Sequence, residues 1–191
     1  MYFESAKVTI IAPGLIEQDW NEAEVLGSAT WLWMQSEKHR ILPLYTLQAL
    51  LLPAIKHRQF ILALEAGRPV FYLAWANLDA EAEQRYVQHH PVHMRDEDWS
   101  SGERGWILDW VAPFGHTRCM SQLLVQQLFA NRCMQYLYHR GDERNSQGQK
   151  RGLAIKHFRG RAVLPLVAKH WFDSHPIGRH DPAVRNDREL T

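Results

Sequence analysis

The richest stretch of chemistry in the sequence is Gly105 to Gly115, Gly-Trp-Ile-Leu-Asp-Trp-Val-Ala-Pro-Phe-Gly. One carboxylate, Asp109, stands among aromatic and aliphatic residues there. The run is short, β-prone and bounded by glycines, so it reads as a buried strand. A charge in such a strand needs a partner, because an unpaired buried carboxylate is costly. Two readings are open. Asp109 lies on a solvated strand face or is satisfied by backbone amides, or it orients a catalytic base. Imidazole is the side chain suited to acid–base work near neutrality. Of 11 histidines, His39 is set apart by position, in the polar break Ser36-Glu-Lys-His-Arg40 between two helical stretches. His89, His90 and His93 cluster, but no Cys, Asp or Glu pattern completes a site around them, so no metal is expected. Gly115, between a strand and a helix start, leaves amides free for a phosphate. The sequence has no G-x-G-x-x-G, P-loop or G-x-S-x-G pattern, which disfavours nucleotide enzymes and α/β-hydrolases.

These residues need elements to hold them. Glu22 to Gln35 places Ala23, Leu26, Ala29 and Trp33 at helical spacing. Ser36 to Pro43 breaks the pattern. Leu44 to His57 predicts a second helix with Leu44, Leu47, Leu51 and Ile55 on one face, bent or ended by Pro53. The His39 loop is thus pinned between two packed helices. Phe60–Glu65 and Val70–Ala76 flank a glycine-containing turn, a hairpin signal. Leu78 to His89 has weak helical periodicity, and His89 to Gly102 is irregular and acidic. After the Trp106–Phe114 strand come a helix over Thr117–Ala130, a strand over Cys133–His139, a polar loop over Arg140–Gly152, a strand over Leu153–Phe158 and a helix over Val163–Phe172. This order describes an α/β (α+β) fold, a sheet with helices on it. Residues 1–22, with a short strand from Val8, read as an accessory extension. Residues 23–173 form the main domain, and 174–191 a loose polar tail.

At 191 residues, 46% apolar and 23% charged, the composition is that of one ordinary globular domain. No apolar run approaches the roughly 20 residues of a membrane span. The N-terminus lacks a basic start followed by an apolar run, and Cys119 and Cys133 suggest no disulfide framework, so a cytoplasmic protein is expected. A net charge of +1 argues against a general attraction to nucleic acid. The charge is uneven, however. Asp79 to Asp98 holds six acidic and two basic side chains, and His139 to Arg161 holds seven basic and two acidic. Both are either solvated surface or, for the basic stretch, a landing surface for an acidic partner.

Several blocks also carry a resemblance. Glu24-Val-Leu-Gly-Ser-Ala-Thr-Trp-Leu-Trp-Met, then Ser36 through His39-Arg40 and Pro43, is similar to the start of the RTX-toxin-activating lysine acyltransferases, the hemolysin-activating C proteins. Leu52-Pro-Ala-Ile, Trp75-Ala-Asn-Leu, Asp98-Trp-Ser-Ser-Gly-Glu-Arg and Trp106-Ile-Leu-Asp-Trp-Val-Ala-Pro-Phe-Gly continue it in the family's order over about residues 22 to 116. The resemblance implies a mixed sheet flanked by helices like that of the Gcn5-related N-acetyltransferases. It implies fatty acyl transfer from acyl carrier protein to the ε-amino groups of internal lysines in an RTX protoxin, in a cytoplasmic homodimer with no bound cofactor. His39 matches the family's essential histidine, as base or as first acyl acceptor, and Asp109 its strand aspartate. Arg40, Arg104, Trp110, Gly115, Lys150 and Arg151 are then the substrate and carrier side. The basic residues among them would dock the acidic carrier protein. The chain departs from the family in carrying Leu50 where many members have asparagine, and in some twenty residues before the usual start. Two other readings are an acyltransferase for a different amine and a non-catalytic, chaperone-like protoxin binder.

Overall fold

A computed structural model describes residues 1–89, 91–138 and 154–177. Its centre is a mixed sheet of seven strands whose spatial order is their chain order. Strands β1 (Tyr2–Phe3), β2 (Val8–Ile11), β3 (Phe60–Glu65), β4 (Arg68–Leu78) and β5 (Arg104–Val111) pair antiparallel in succession. β5 then pairs parallel with β6 (Cys133–Tyr138), and β6 antiparallel with β7 (Ala154–Arg159). The β5–β6 pairing covers Trp106↔Gln135 and Ile107↔Tyr136 and stops there.

The N-terminal residues, read from the sequence as an accessory extension, are built into this sheet. Thr9 and Ile11 stand opposite Leu64 and Leu62 of β3, and Val8 and Ile10 are fully buried. The alternation of Val8 and Ile10 is the period-two pattern of a strand with one buried face.

Helix α1 (Glu22–Gln35) begins where the sequence pattern puts it. The Asn21 side chain accepts from the Glu24 N–H, and Glu22 and Glu24 lie in the first turn, where acidic groups oppose the dipole favourably. Val25, Ala29, Leu32 and Trp33 are its buried stripe. The expected second helix is shorter and of two kinds. A π turn over Leu47–Leu51 precedes α2 (Leu52–Lys56). Pro53 has no N–H for an i−4 carbonyl, and the chain widens just before it, with the Leu52 N–H bonded to the Leu47 carbonyl. Leu44 is therefore not on a packed face; it is 81% exposed. Helix α3 (Ala80–Gln88), capped by Asp79, fills the weakly periodic stretch after β4. α4 (Thr117–Leu123) runs into a second π turn over Leu124–Leu128, and α5 (Pro165–Ser174) follows β7. The predicted loop over 140–152 and the tail from 178 lie outside the described residues.

Each sheet face has its own core. One gathers α1, α2 and α3 with Phe60, Leu62, Tyr72, Ala74, Trp106 and Val111. The other gathers α4 with Ile61, Phe71, Leu73, Trp75, Ile107 and Phe129. No helix among the described residues is long and apolar enough to cross a membrane.

Candidate functional site

Which face Asp109 joins is decided by one irregularity. Ala74 of β4 stands opposite Asp109, but the next residue, Trp75, stands opposite Ile107. Leu108 is the extra residue of a bulge, left without a partner on β4. Before it, Trp106 packs in the first core and Ile107 in the second. Strict alternation would send Asp109 to the same side as Ile107. The inserted residue resets the count and turns Asp109 toward α1.

There the carboxylate meets three donors from three parts of the chain. His39 Nε2 lies 3.0 Å from Oδ1, the Trp33 indole N–H donates to Oδ2 at 3.0 Å, and the Trp110 backbone N–H donates to Oδ1 at 2.8 Å. The His39 and Asp109 side chains are 16% and 18% exposed, so the pair is shielded yet reachable from solvent. The imidazole is held on its other edge as well, with Nδ1 2.7 Å from the Ser36 hydroxyl and the ring 5.0 Å from the Trp33 ring. With Nε2 donating to the carboxylate, Nδ1 is an acceptor, and the Ser36 O–H donates to it.

The local sequence explains why the loop stops there. Ser36 ends α1 in extended conformation, its N–H still bonded to the Trp33 carbonyl. Its own carbonyl then accepts from the His39 and Arg40 amides, and the His39 carbonyl from the Leu42 amide. These successive turns fold His39 back against the end of the helix.

Tyr72 is also part of the surroundings. It lies on the same sheet face, opposite Val111 and so diagonal to Asp109, and is fully buried. Burial, and secondarily the charge of Asp109, hold its phenol well above the ordinary tyrosine value.

The structure brings together His39 and Asp109 of the predicted residues and disperses the others. Arg40 is exposed beside the pair and forms no ion pair among the described residues. Trp110 contributes its amide, while its ring packs on the opposite face, 4.9 Å from Phe71. Gly115, at φ 84°, ends the turn after β5 just ahead of α4. Arg104 sits at the far end of β5 and is already engaged. It pairs with the buried Glu83, whose carboxyl burial pushes up against the opposing pull of Trp106 and Arg104. Lys150 and Arg151 lie outside the described residues. Leu50, at the position of the family's asparagine, is packed against the first core.

Sequence reasoning missed Trp33, Ser36 and the bulge. Trp33 has the spacing of a core residue, and only its indole N–H marks it as able to serve a carboxylate. Ser36 stands three residues before His39, the separation of a turn.

A cleft of about 650 Å³ lies elsewhere, between α1 and the β3–β4 hairpin; Trp20, Glu24, Trp31 and Leu62 line it. It includes neither His39 nor Asp109. No three His, Cys, Asp or Glu side chains among the described residues gather into a metal-binding group.

A shielded histidine fixed on one nitrogen by a carboxylate and on the other by a hydroxyl, at the bulge of a mixed sheet, is the equipment of a proton-transfer site. Comparison with known proteins narrows that class. The model of the RTX toxin acyltransferase family matches residues 18–151. The leukotoxin-activating lysine-acyltransferase LktC serotype A11 of Mannheimia haemolytica is 37% identical over 153 residues, 79% of this chain and 86% of the relative. The serotype T3 form is 39% identical over 107 residues, 56% of this chain and 64% of that relative. The protein-lysine myristoyltransferase RtxC of Kingella kingae is 33% identical over 150 residues, covering 78% and 84%. The chain belongs to the RTX toxin acyltransferase family.

Proposed function

We propose that this protein transfers a fatty acyl group from acyl carrier protein to the ε-amino groups of internal lysines in an RTX protoxin, and that His39 is the general base of the transfer. The observation that carries the site assignment is the His39–Asp109 contact at 3.0 Å, in a chain whose relatives are lysine acyltransferases.

A lysine amine is protonated at neutral pH, with a reference pKa of about 10.4, and cannot attack a thioester until it loses a proton. His39 Nδ1 accepts from the Ser36 hydroxyl, which stands between the ring and an incoming amine. The amine proton passes to the ring through that hydroxyl, which gives its own proton to Nδ1 as it takes one. Asp109 stabilises the imidazolium so formed and fixes its orientation. The amine then attacks the carbonyl carbon and gives up its second proton as the C–S bond breaks and the amide forms; the departing thiolate takes one of the two protons, and His39 releases the other to solvent. Direct transfer suits a sheet of the Gcn5-related acetyltransferase kind, and the mixed order with one parallel pair supports that comparison. Beyond Ile107 the β5 backbone is not paired with β6, which leaves a strand edge beside the site for the amide groups of a phosphopantetheine arm.

The carrier protein is acidic, and the basic stretch that includes Lys150, Arg151 and the exposed Lys156, Arg159 and Arg161 supports docking there. A homodimer in the cytoplasm follows from the same reading, and sedimentation of the purified chain tests the stoichiometry. Mixing protein, acyl-loaded carrier and a cognate RTX protoxin, with lysine mass shifts as readout, tests the function. Internal lysines gain amide-linked acyl groups with the native chain and not with His39→Ala. Transfer that persists in the variant would overturn the site assignment. No transfer at any acyl length would favour a protein that binds protoxin without acylating it.

A further inference from the structure

A buried polar group that finds no partner is destabilising, and each such case calls for an explanation. The Tyr72 hydroxyl is one. The residue is fully buried, its ring stacks near Phe60 with centroids 6.5 Å apart, and its oxygen meets no donor or acceptor among the described residues. A phenylalanine would pack as well without the penalty.

On the same sheet face, Asp109 holds an unused acceptor. Oδ1 takes His39 Nε2 and the Trp110 amide, whereas Oδ2 takes the Trp33 indole alone. A carboxylate oxygen has two lone-pair positions, so Oδ2 has one left. The bulge at Leu108 puts Asp109 on the Tyr72 side, and the register makes the two diagonal neighbours, Tyr72 opposite Val111 and Ala74 opposite Asp109. Diagonal pairs across antiparallel strands stand about 7–8 Å apart, within reach of a tyrosine ring. The phenol stays protonated at physiological pH, as burial and the nearby carboxylate both require. It is a donor without an acceptor, beside an acceptor short of a donor.

We infer that Tyr72 is a positioning residue for the transfer, its hydroxyl donating to Asp109 directly or through one buried water and setting how strongly the carboxylate holds His39. It acts through Asp109 and does not touch substrate. Its role in the reaction rests on the acyl-transfer reading above. Its bond to Asp109 does not, and the test separates the two. The other charged groups near the pair, Glu37, Lys38 and Arg40, are exposed on the His39 loop and form no ion pairs among the described residues.

The test is Tyr72→Phe, which keeps the ring against Phe60. The His39 Nε2–H proton is followed by NMR, with lysine acylation rates and thermal unfolding alongside. With one donor fewer, Asp109 becomes the stronger acceptor for His39, and that proton moves downfield. A 3-fluorotyrosine at position 72, a stronger donor, moves it upfield. The acylation rate of Tyr72→Phe falls about tenfold, carried by kcat rather than KM, and the unfolding temperature falls slightly as the bond to Asp109 is lost. An unshifted His39 proton in both variants, with a more stable Tyr72→Phe protein and native rates, would reduce Tyr72 to an unsatisfied core group. If the native protein acylates nothing, the acyl-transfer reading fails, and the NMR result still decides whether Tyr72 serves Asp109.

Discussion

Replacing Asp109 with asparagine keeps the shape of the side chain and removes its charge. The native carboxylate receives three donors, two at Oδ1 and one at Oδ2. An amide has one oxygen and one NH₂, so it cannot satisfy all three. The better orientation keeps oxygen where His39 and the Trp110 amide meet, and turns NH₂ toward the Trp33 indole. That sets donor against donor where a 3.0 Å hydrogen bond stood. Leaving a part-buried donor unpaired costs about 1–3 kcal/mol. For a chain of this size it lowers Tm by roughly 5 °C. The rate effect is larger and has a separate origin. A neutral amide holds the His39 ring but does not offset the charge it gains on taking a proton. Positioned acid–base groups contribute about 10²–10⁴-fold, so the acylation rate should fall by two to four orders of magnitude. Initial rates of lysine acylation, read by mass spectrometry at saturating acyl donor, measure it. Adding His39→Ala to Asp109→Asn should lower the rate little further, because the two residues act as a unit. An Asp109→Asn protein within threefold of native activity would refute the pairing as the catalytic element.

Other outcomes follow from the same contacts. Trp33→Phe deletes the donor to Oδ2 while filling most of the same space; the acylation rate drops about tenfold and stability falls by about 1–2 kcal/mol, by denaturant titration. Burial alone would raise the Asp98 carboxyl, but the Arg85 side chain and the Arg95 amide outweigh it and hold its folded value below the ordinary one. Asp98 therefore contributes stability that is present at neutral pH and is lost as pH falls through its folded value. Tm measured from about pH 6 to pH 3 should fall less steeply in Asp98→Asn than in the native chain. Charge reversal at Lys150 and Arg151 should weaken acyl-carrier affinity and flatten its salt dependence in a binding titration; unchanged affinity would remove them from the docking surface.

Much of this was legible locally. The break of apolar spacing after Gln35 marks the end of α1, and the β3–β4 hairpin is readable from two apolar runs around Gly67. Asp109 stands out because a charge in an apolar strand demands an explanation. What stayed hidden depends on relations between segments. The Leu108 bulge exists only relative to β4, so residues 104–111 taken alone do not announce it. Trp33 follows the same spacing as Ala29 and Val25, and its polar edge matters only because β5 brings a carboxylate to it. Leu44 misled because apolar periodicity was extended back across a turn, where the helix had not begun. Arg104 counted as available positive charge until the fold placed Glu83 against it.

The bonds around Asp109 also set a schedule. Trp33 and His39 lie 76 and 70 residues before it in the chain, and no shorter loop closes the site. A nascent polypeptide can complete α1 and the β3–β4 hairpin and still lack the carboxylate that holds His39. The bulged strand must first be made and its register with β4 locked. Contacts between such distant residues form slowly, because the loop must be closed before the contact can stabilise it. Recovery of activity during refolding should therefore trail the return of helical signal, and a chain interrupted before residue 109 should be catalytically silent however well its first half is ordered.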